Sequence, residues 1–175
     1  LFAHQNMEIS KINSLVELFF KKLEEVDNTK SFLNTLKSEK LTYSWKDVSD
    51  RIFKLSSKLK TLIKPGDRCL ILSENNPNWF ISDISIMNAG GISVPIFTTY
   101  SDNDYKHILE DCKPSLVIVS NNLQFNKIKK FINNDEMKII SFEKVDFNSL
   151  LISDIFSENL NDKTINNNLK RNMPA

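Results

Sequence analysis

The sequence predicts an α/β fold: a mostly parallel sheet with helices on both faces. Three observations predict it. Four short runs, 68–72, 92–97, 116–119 and 137–142, are apolar nearly throughout and of strand length, as expected of strands covered on both faces. Helix-length segments separate them, which favours parallel pairing through crossover connections. Turn chemistry stands at the joints, in Lys64-Pro65-Gly66-Asp67 and in Gly90-Gly91.

Each element has its own local reason. Residues 12–26 carry Leu15, Leu18, Phe19 and Leu23 at three- and four-residue spacing, one face of a helix. The runs 31–36 and 41–43, split by polar residues, predict a hairpin-like pair of short strands. Residues 44–62 form the clearest helix. Ser44 with Asp47 has the form of a capping box. Trp45, Val48, Ile52, Leu55, Leu59 and Leu62 make one seam, and Trp45, Ile52, Leu55 and Leu59 are expected to face the sheet. Pro65 and Gly66 stop that helix before the strand 68–72. Asn76 is the expected N-cap, and Pro77 the first residue, of a helix running to about Ala89. The strand 92–97 follows. Ser101 caps the next helix, with Asp102 and Asp104 where the helix dipole favours carboxylates. Leu116-Val117-Ile118-Val119 is a buried-type strand, 121–132 a short helix with a basic face, and 137–142 the last strand. Beyond Phe156 the chain turns polar, which predicts a linker or surface excursion.

Composition narrows the function classes. Across 175 residues, 23 basic side chains face 22 acidic ones, and the net charge of +1 offers no field for nucleic acid or an anionic membrane. With 41% hydrophobic and 26% charged residues, the chain can bury a core. Two cysteines, Cys69 and Cys112, make no disulfide framework and are expected as unpaired buried thiols. No uncharged apolar run approaches the length of about 18 residues that a spanning helix needs. The first residues lack the basic flank and apolar run of a signal peptide. Leu1 is not an initiator methionine, so the start is expected at Met7 or upstream.

Familiar nucleotide and hydrolase signatures do not occur. Gly66, Gly90 and Gly91 are the only glycines, too few for a dinucleotide fingerprint or a phosphate-cradling loop. No Gly-x-Ser-x-Gly elbow occurs. His4 sits near the start. His107 reads as a surface or half-buried helix residue, and its five-residue spacing from Cys112 does not put the two on one helical face. Thr98, Thr99 and Tyr100 differ from these. They follow a parallel strand at its C-terminal end, where open α/β sheets place ligands. A loop that merely caps the next helix would look the same.

The order of motifs is recognisable. Leu41-Thr42-Tyr43-Ser44-Trp45 precedes a long helix, and Lys64-Pro65-Gly66-Asp67-Arg68 leads into a strand. Then come Glu74-Asn75-Asn76-Pro77-Asn78-Trp79, Met87-Asn88-Ala89-Gly90-Gly91-Ile92-Ser93-Val94-Pro95, Thr99-Tyr100-Ser101, and His107-Ile108-Leu109-Glu110-Asp111-Cys112. In this order and spacing, residues 15–142 resemble the N-terminal part of the AMP-forming adenylating enzymes: acyl-CoA synthetases, luciferases and peptide-synthetase adenylation domains. Pro95-Ile96-Phe97-Thr98-Thr99-Tyr100 with Asp104-Tyr105-Lys106-His107-Ile108-Leu109 looks most like the long-chain fatty acyl-CoA synthetases. Arg171-Asn172-Met173-Pro174-Ala175 is similar to the lead-in to that family's phosphate loop.

The resemblance implies a function for a longer parent protein. A fatty acid carboxylate attacks the α-phosphate of ATP with Mg²⁺ assistance, releasing pyrophosphate, and the thiol of CoA then displaces AMP. Fatty acid, ATP and CoA are the partners implied, with no nucleic acid and no transmembrane segment. A cytoplasmic enzyme meeting its substrate peripherally at a membrane is the setting implied. The family's phosphate loop, Mg²⁺ ligand, ribose-holding Asp and C-terminal Lys have no matching position here. No catalytic, cofactor-binding or metal-binding residue is therefore assigned. Thr98, Thr99 and Tyr100 are the substrate-cleft candidates. The expected organisation is a flexible start over 1–13, the α/β part over 14–156, and a polar linker over 157–175. The isolated chain is expected to be inactive and to bind none of these cofactors fully. Two alternatives stay open: another acid-activating ligase of the superfamily, and a non-catalytic α/β binding module.

Overall fold

The structure is a computed structural model that describes residues 9–35, 41–132, 137–159 and 162–174. His4 and the start at Met7 lie outside the described residues.

Helix α1, Leu15–Glu25, starts at Ser14, whose hydroxyl accepts the Glu17 N–H. Its buried face is Val16, Phe19 and Phe20, whereas Leu15 is 54% exposed. The face is therefore rotated from the expected stripe. Aromatic packing sets the rotation: Phe20 stacks on Phe53 at 4.8 Å and Phe19 on Trp45 at 5.6 Å, and large rings bury more apolar area than Leu15 could.

Strands β1, Ser31–Asn34, and β2, Thr42–Ser44, pair antiparallel, with Leu33 opposite Tyr43. Helix α2, Trp45–Leu62, opens with the expected capping box. Ser44 Oγ accepts the Asp47 N–H at 3.1 Å, and Asp47 accepts the Ser44 N–H at 2.9 Å. Val48, Ile52, Leu55 and Leu59 are fully buried. They belong to the same core cluster as the sheet residues Cys69, Ile71 and Ile118. Helix α2 lies mainly against helix α3, Pro77–Asn88, the β1–β2 hairpin and the short helix Ile152–Ser157. Trp45 departs from the expected sheet-facing seam. It is half-buried and stacked on Phe32 at 3.9 Å, because it opens the helix beside the hairpin.

The main sheet has five parallel strands: β3, Arg68–Leu72; β4, Ile92–Ile96; β5, Leu116–Val119; β6, Lys138–Ser141; and β7, Leu150–Leu151. Their order is β4-β3-β5-β6-β7, a doubly wound arrangement. Alternate residues serve the two faces. Cys69, Ile71, Leu116 and Ile118 join the core with α1, α2 and α3. Leu70, Leu72, Val117 and Val119 pack with Tyr105, Leu109, Phe125 and Ile128. Those last four come from helices α4, Asp102–Cys112, and α5, Asn122–Ile128. Helix α5 is shorter than the expected 121–132; its end tightens into a 3-10 turn at Lys129–Phe131. Strand β7 and helix α6, Ile152–Ser157, escaped the sequence reading, since a two-residue strand carries no period.

Strand β4 forms one edge. The Ile92 N–H points inward, to the Asp67 carbonyl at 2.8 Å. By alternation, position 95 turns its nitrogen outward, where Pro95 has no N–H to offer. That blunts the edge against further strand pairing. The two turn motifs meet at the N-terminal ends of β3 and β4. The Gly66 N–H donates to the Gly90 carbonyl at 2.8 Å, and both glycines have positive φ, 86° and 89°.

Residues 162–174, in the polar stretch after Phe156, run over the surface and are fastened to it. Ile165 and Leu169 pack on the core beside α3. Asp162 pairs with Lys60 at 3.2 Å, and the Arg171 Nε–H donates to the Ile12 carbonyl at 2.7 Å. Ile12, within the span expected to be flexible, is buried and follows a 3-10 turn at Ile9–Lys11. Among the described residues no helix is long and apolar enough to cross a membrane.

Candidate functional site

The chain leaves β3 toward β4 on one side and later leaves β5 toward β6 on the other. Such a switch point opens a crevice at the C-terminal strand ends. Here a carboxylate spans it. Glu74, two residues past β3, accepts Ser120 Oγ–H at 2.6 Å on one oxygen and Gln124 Nε2–H at 2.5 Å on the other. Gln124 is held in place by the start of α5, where the Asn121 side chain accepts its N–H at 3.1 Å. Burial, the largest single influence on Glu74, pushes its carboxyl up. The Ser120 hydroxyl, the residue's own N–H, Gln124 and Asn121 together outweigh that and hold it below the ordinary glutamate value. Glu74 is therefore ionised at neutral pH.

Beside this crevice lies a cleft of about 470 Å³ between the ends of β3 and β4. Trp79, Pro95, Ile96 and Phe97 form its apolar walls, with Glu74 and Thr98 on the rim. Asn76 sets the turn beneath it. Its Nδ2 donates to Ser73 Oγ at 2.9 Å, and its Oδ1 caps α3 by accepting the Trp79 N–H at 3.1 Å. That cap fixes where Trp79 leaves the helix.

The loop carrying Thr98, Thr99 and Tyr100 is pinned from below. Tyr105 Oη donates to the Phe97 carbonyl at 3.0 Å, and Lys127 Nζ to the Thr98 carbonyl at 2.6 Å. Thr98 is half-buried on the cleft rim, while Thr99 is exposed and outside the lining. Tyr100 is 37% exposed and meets Phe97 edge-on at 5.4 Å. Ser101 closes the loop with a second capping box onto Asp104. His107 is exposed on α4. Cys69 and Cys112 are free, buried thiols.

Glu74, Trp79, Phe97 and Lys127 have no site role in the sequence reading, although the first three stand in its recognisable motifs. A carboxylate just past a parallel strand was the available signal for Glu74. Its engagement with Gln124, 50 positions away, has no local signature.

The family comparison decides what kind of protein this geometry belongs to. The family model described as AMP-binding enzyme matches residues 23–174. The chain belongs to the AMP-binding enzyme family. Among curated members, a long-chain-fatty-acid–CoA ligase of Gallus gallus is 37% identical over 86 residues, covering 49% of this chain and 11% of that ligase. A long-chain-fatty-acid–AMP ligase of Mycobacterium marinum is 28% identical over 97 residues, covering 54% of this chain and 15% of that protein. The luciferase-like enzyme of the Zophobas morio mealworm superposes with a TM-score of 0.73 at 18% identity, over 89% of this chain and 36% of that one. That likeness shows the fold. The chain thus spans a small part of the relatives it matches.

The strand-end cleft of this AMP-binding domain has, among the described residues, no cation on its lining for a polyphosphate such as that of ATP. Both Glu74 oxygens are engaged, and an ionised carboxylate at the crevice repels a polyphosphate. Among the described residues no three His, Cys, Asp or Glu side chains gather as a metal-holding group.

Proposed function

We propose that this chain is the N-terminal part of an ATP-dependent fatty acid–CoA ligase. The carrying observation is the 37% identity to a long-chain-fatty-acid–CoA ligase within a family match over 23–174. In the longer protein, the fatty acid carboxylate displaces pyrophosphate from ATP, and the CoA thiol then displaces AMP from the acyl-adenylate. Stabilising the adenylyl group in transit requires a phosphate cradle and cations where charge develops. The strand-end crevice presents an anion instead. The 175 residues alone therefore supply scaffold, with Thr98 on the rim of the substrate cleft and Thr99 and Tyr100 on the loop that continues from it. Residues 14–156 are the α/β part, 1–13 its leading segment and 157–175 the lead toward the phosphate loop. The enzyme works in the cytoplasm and meets its apolar substrate at a membrane surface.

Pyrophosphate exchange and thioester formation, measured on the 175-residue chain and on a longer protein carrying it, test this reading. The longer protein should convert long-chain fatty acids to CoA thioesters, and the chain alone should form no acyl-adenylate above background. Preference for an aromatic acid, or adenylation by the 175 residues, would overturn the reading. The similarity to a fatty-acid–AMP ligase favours a second reading, in which the product is the acyl-adenylate and CoA is not used. Analysis of the released product separates the two.

A further inference from the structure

A groove of about 470 Å³ lies between α1 and α3, within the range of about 300–1,000 Å³ usual for small-molecule sites. Phe19 of α1, Phe32 of β1, Trp45 at the head of α2, and Trp79 and Phe80 of α3 line it. Four of these rings brace one another. Phe32 stacks on Trp45 at 3.9 Å and Phe19 on Trp45 at 5.6 Å, while Phe80 meets Phe32 edge-on at 5.4 Å. An aromatic wall held in this way is set before a ligand arrives, which lowers the cost of binding.

Among the described residues, Asp83 is the one acid on that lining. It stands four residues after Trp79 and three after Phe80, on the same side of α3. It is half-buried, and its Oδ1 accepts the Ser93 hydroxyl at 2.6 Å. The ion pairs among the described residues do not include it. Lys22, the one base on the lining, has its ammonium on Glu25 at 3.0 Å. Burial pushes the Asp83 carboxyl up by more than the Ser93 hydrogen bond lowers it. That is the behaviour of a carboxylate short of a counter-charge.

Aromatic faces attract cations through their quadrupole, more strongly where water is removed. The rings and the carboxylate therefore favour the same charge. A neutral ligand would gain only apolar burial here, and an anion would be repelled by Asp83.

We propose that the groove between α1 and α3 is a binding site for a small organic cation, an ammonium on an aromatic or alkyl stem. The ammonium lies against Asp83, and the stem rests on Trp79 and Phe80. The assignment is independent of the fatty-acid reading, because it concerns a ligand of the opposite charge in a different hollow.

The test uses the 175-residue chain at neutral pH and low salt, read by tryptophan fluorescence. Trp45 and Trp79 are the only tryptophans, and both line the groove. The probes are phenethylammonium and 2-phenylethanol, which share a stem and differ in charge. Phenethylammonium should bind saturably and about tenfold more tightly than 2-phenylethanol, the scale of a partly desolvated cation beside rings and a carboxylate. Asp83→Asn leaves an oxygen for the Ser93 hydroxyl and should abolish that preference. Leu15→Lys, at a lining position 54% exposed, should weaken phenethylammonium selectively by placing a rival ammonium at the groove, with little demand on the fold. Equal or tighter binding of 2-phenylethanol to the wild-type chain would overturn the proposal. So would the lack of any saturable phenethylammonium signal, or a preference unchanged in both variants. Failure of the longer protein to ligate fatty acids would leave these binding results standing, so the two readings fail separately.

Discussion

Asn88 and Asn166, 78 positions apart, are joined by a hydrogen bond from the Asn166 N–H to Asn88 Oδ1 at 2.8 Å. The same amide donates from Nδ2 to the Thr164 carbonyl at 3.2 Å. Asn88 is 1% exposed at the end of α3 and treats the tail backbone as a neighbouring strand would. A buried amide left unpaired is costly, so one side chain ties the last segment to the core.

Asn88→Ala should remove both bonds and leave the Thr164 carbonyl and Asn166 N–H to water or to each other. The expected loss is about 1–3 kcal/mol in denaturant unfolding. Amide exchange should quicken at Asn166 while the amides of β3 and β5 keep their protection. Equal acceleration in the sheet would mean that the residue supports the core and not the tail.

The tail should also respond to acid. Asp162 is held down to about 2 from the ordinary 3.8, chiefly by the Thr164 hydroxyl, then by the Thr164 N–H and by Lys60. A carboxyl whose folded value is depressed contributes stability above its unfolded value, and that contribution is lost as pH falls toward the folded one. The difference in unfolding midpoint between wild type and Asp162→Asn should therefore shrink as pH drops from about 4 to about 2. The pair is solvent-exposed, so salt should reduce the difference as well.

Gly91→Ala should destabilise through crowding rather than through backbone strain. A Cβ there would stand 2.8 Å from Ile63 Cδ1 and 3.0 Å from Ile86 Cγ2. Ile63, at the end of α2, and Ile86, in α3, are both buried, so a cost of about 1–3 kcal/mol is expected. Ile63→Val combined with Gly91→Ala should recover part of it in the same unfolding measurement.

Leu55 is fully buried within the seam of α2. Leu55→Ala should cost about 2–5 kcal/mol in urea unfolding, from lost transfer energy and the cavity left behind. A loss below about 0.5 kcal/mol is the behaviour of a surface site and would contradict the packing described.

Cys69 and Cys112 belong to the two separate core clusters on opposite faces of the sheet. Burial pushes the Cys69 thiol up to about 12, with the Asp67 charge adding to it, and burial also raises Cys112. Both thiols stay protonated at neutral pH and are poor nucleophiles. Alkylation without reductant should add two labels in denaturant and far fewer in the native protein. A disulfide seen by intact mass would contradict the arrangement.

Local chemistry was enough, in the sequence alone, for the helix starts at Ser44, Asn76 and Ser101 and for the four longer strands. Caps, prolines and apolar runs act over three or four residues, within reach of a linear reading. Family membership was legible for the same reason, since ordered short motifs survive where overall identity does not. Tertiary structure decided the rest. Which face α1 buries followed from Phe20 meeting Phe53, and the seating of the tail from Asn88 reaching Thr164 and Asn166. Glu74 became the occupant of the crevice only when β5 came to lie beside β3, bringing Ser120 and Gln124 within hydrogen-bond distance. These contacts join residues tens of positions apart, and no local propensity encodes them; they exist because folding brings the strand ends together and buries polar groups that must then find partners.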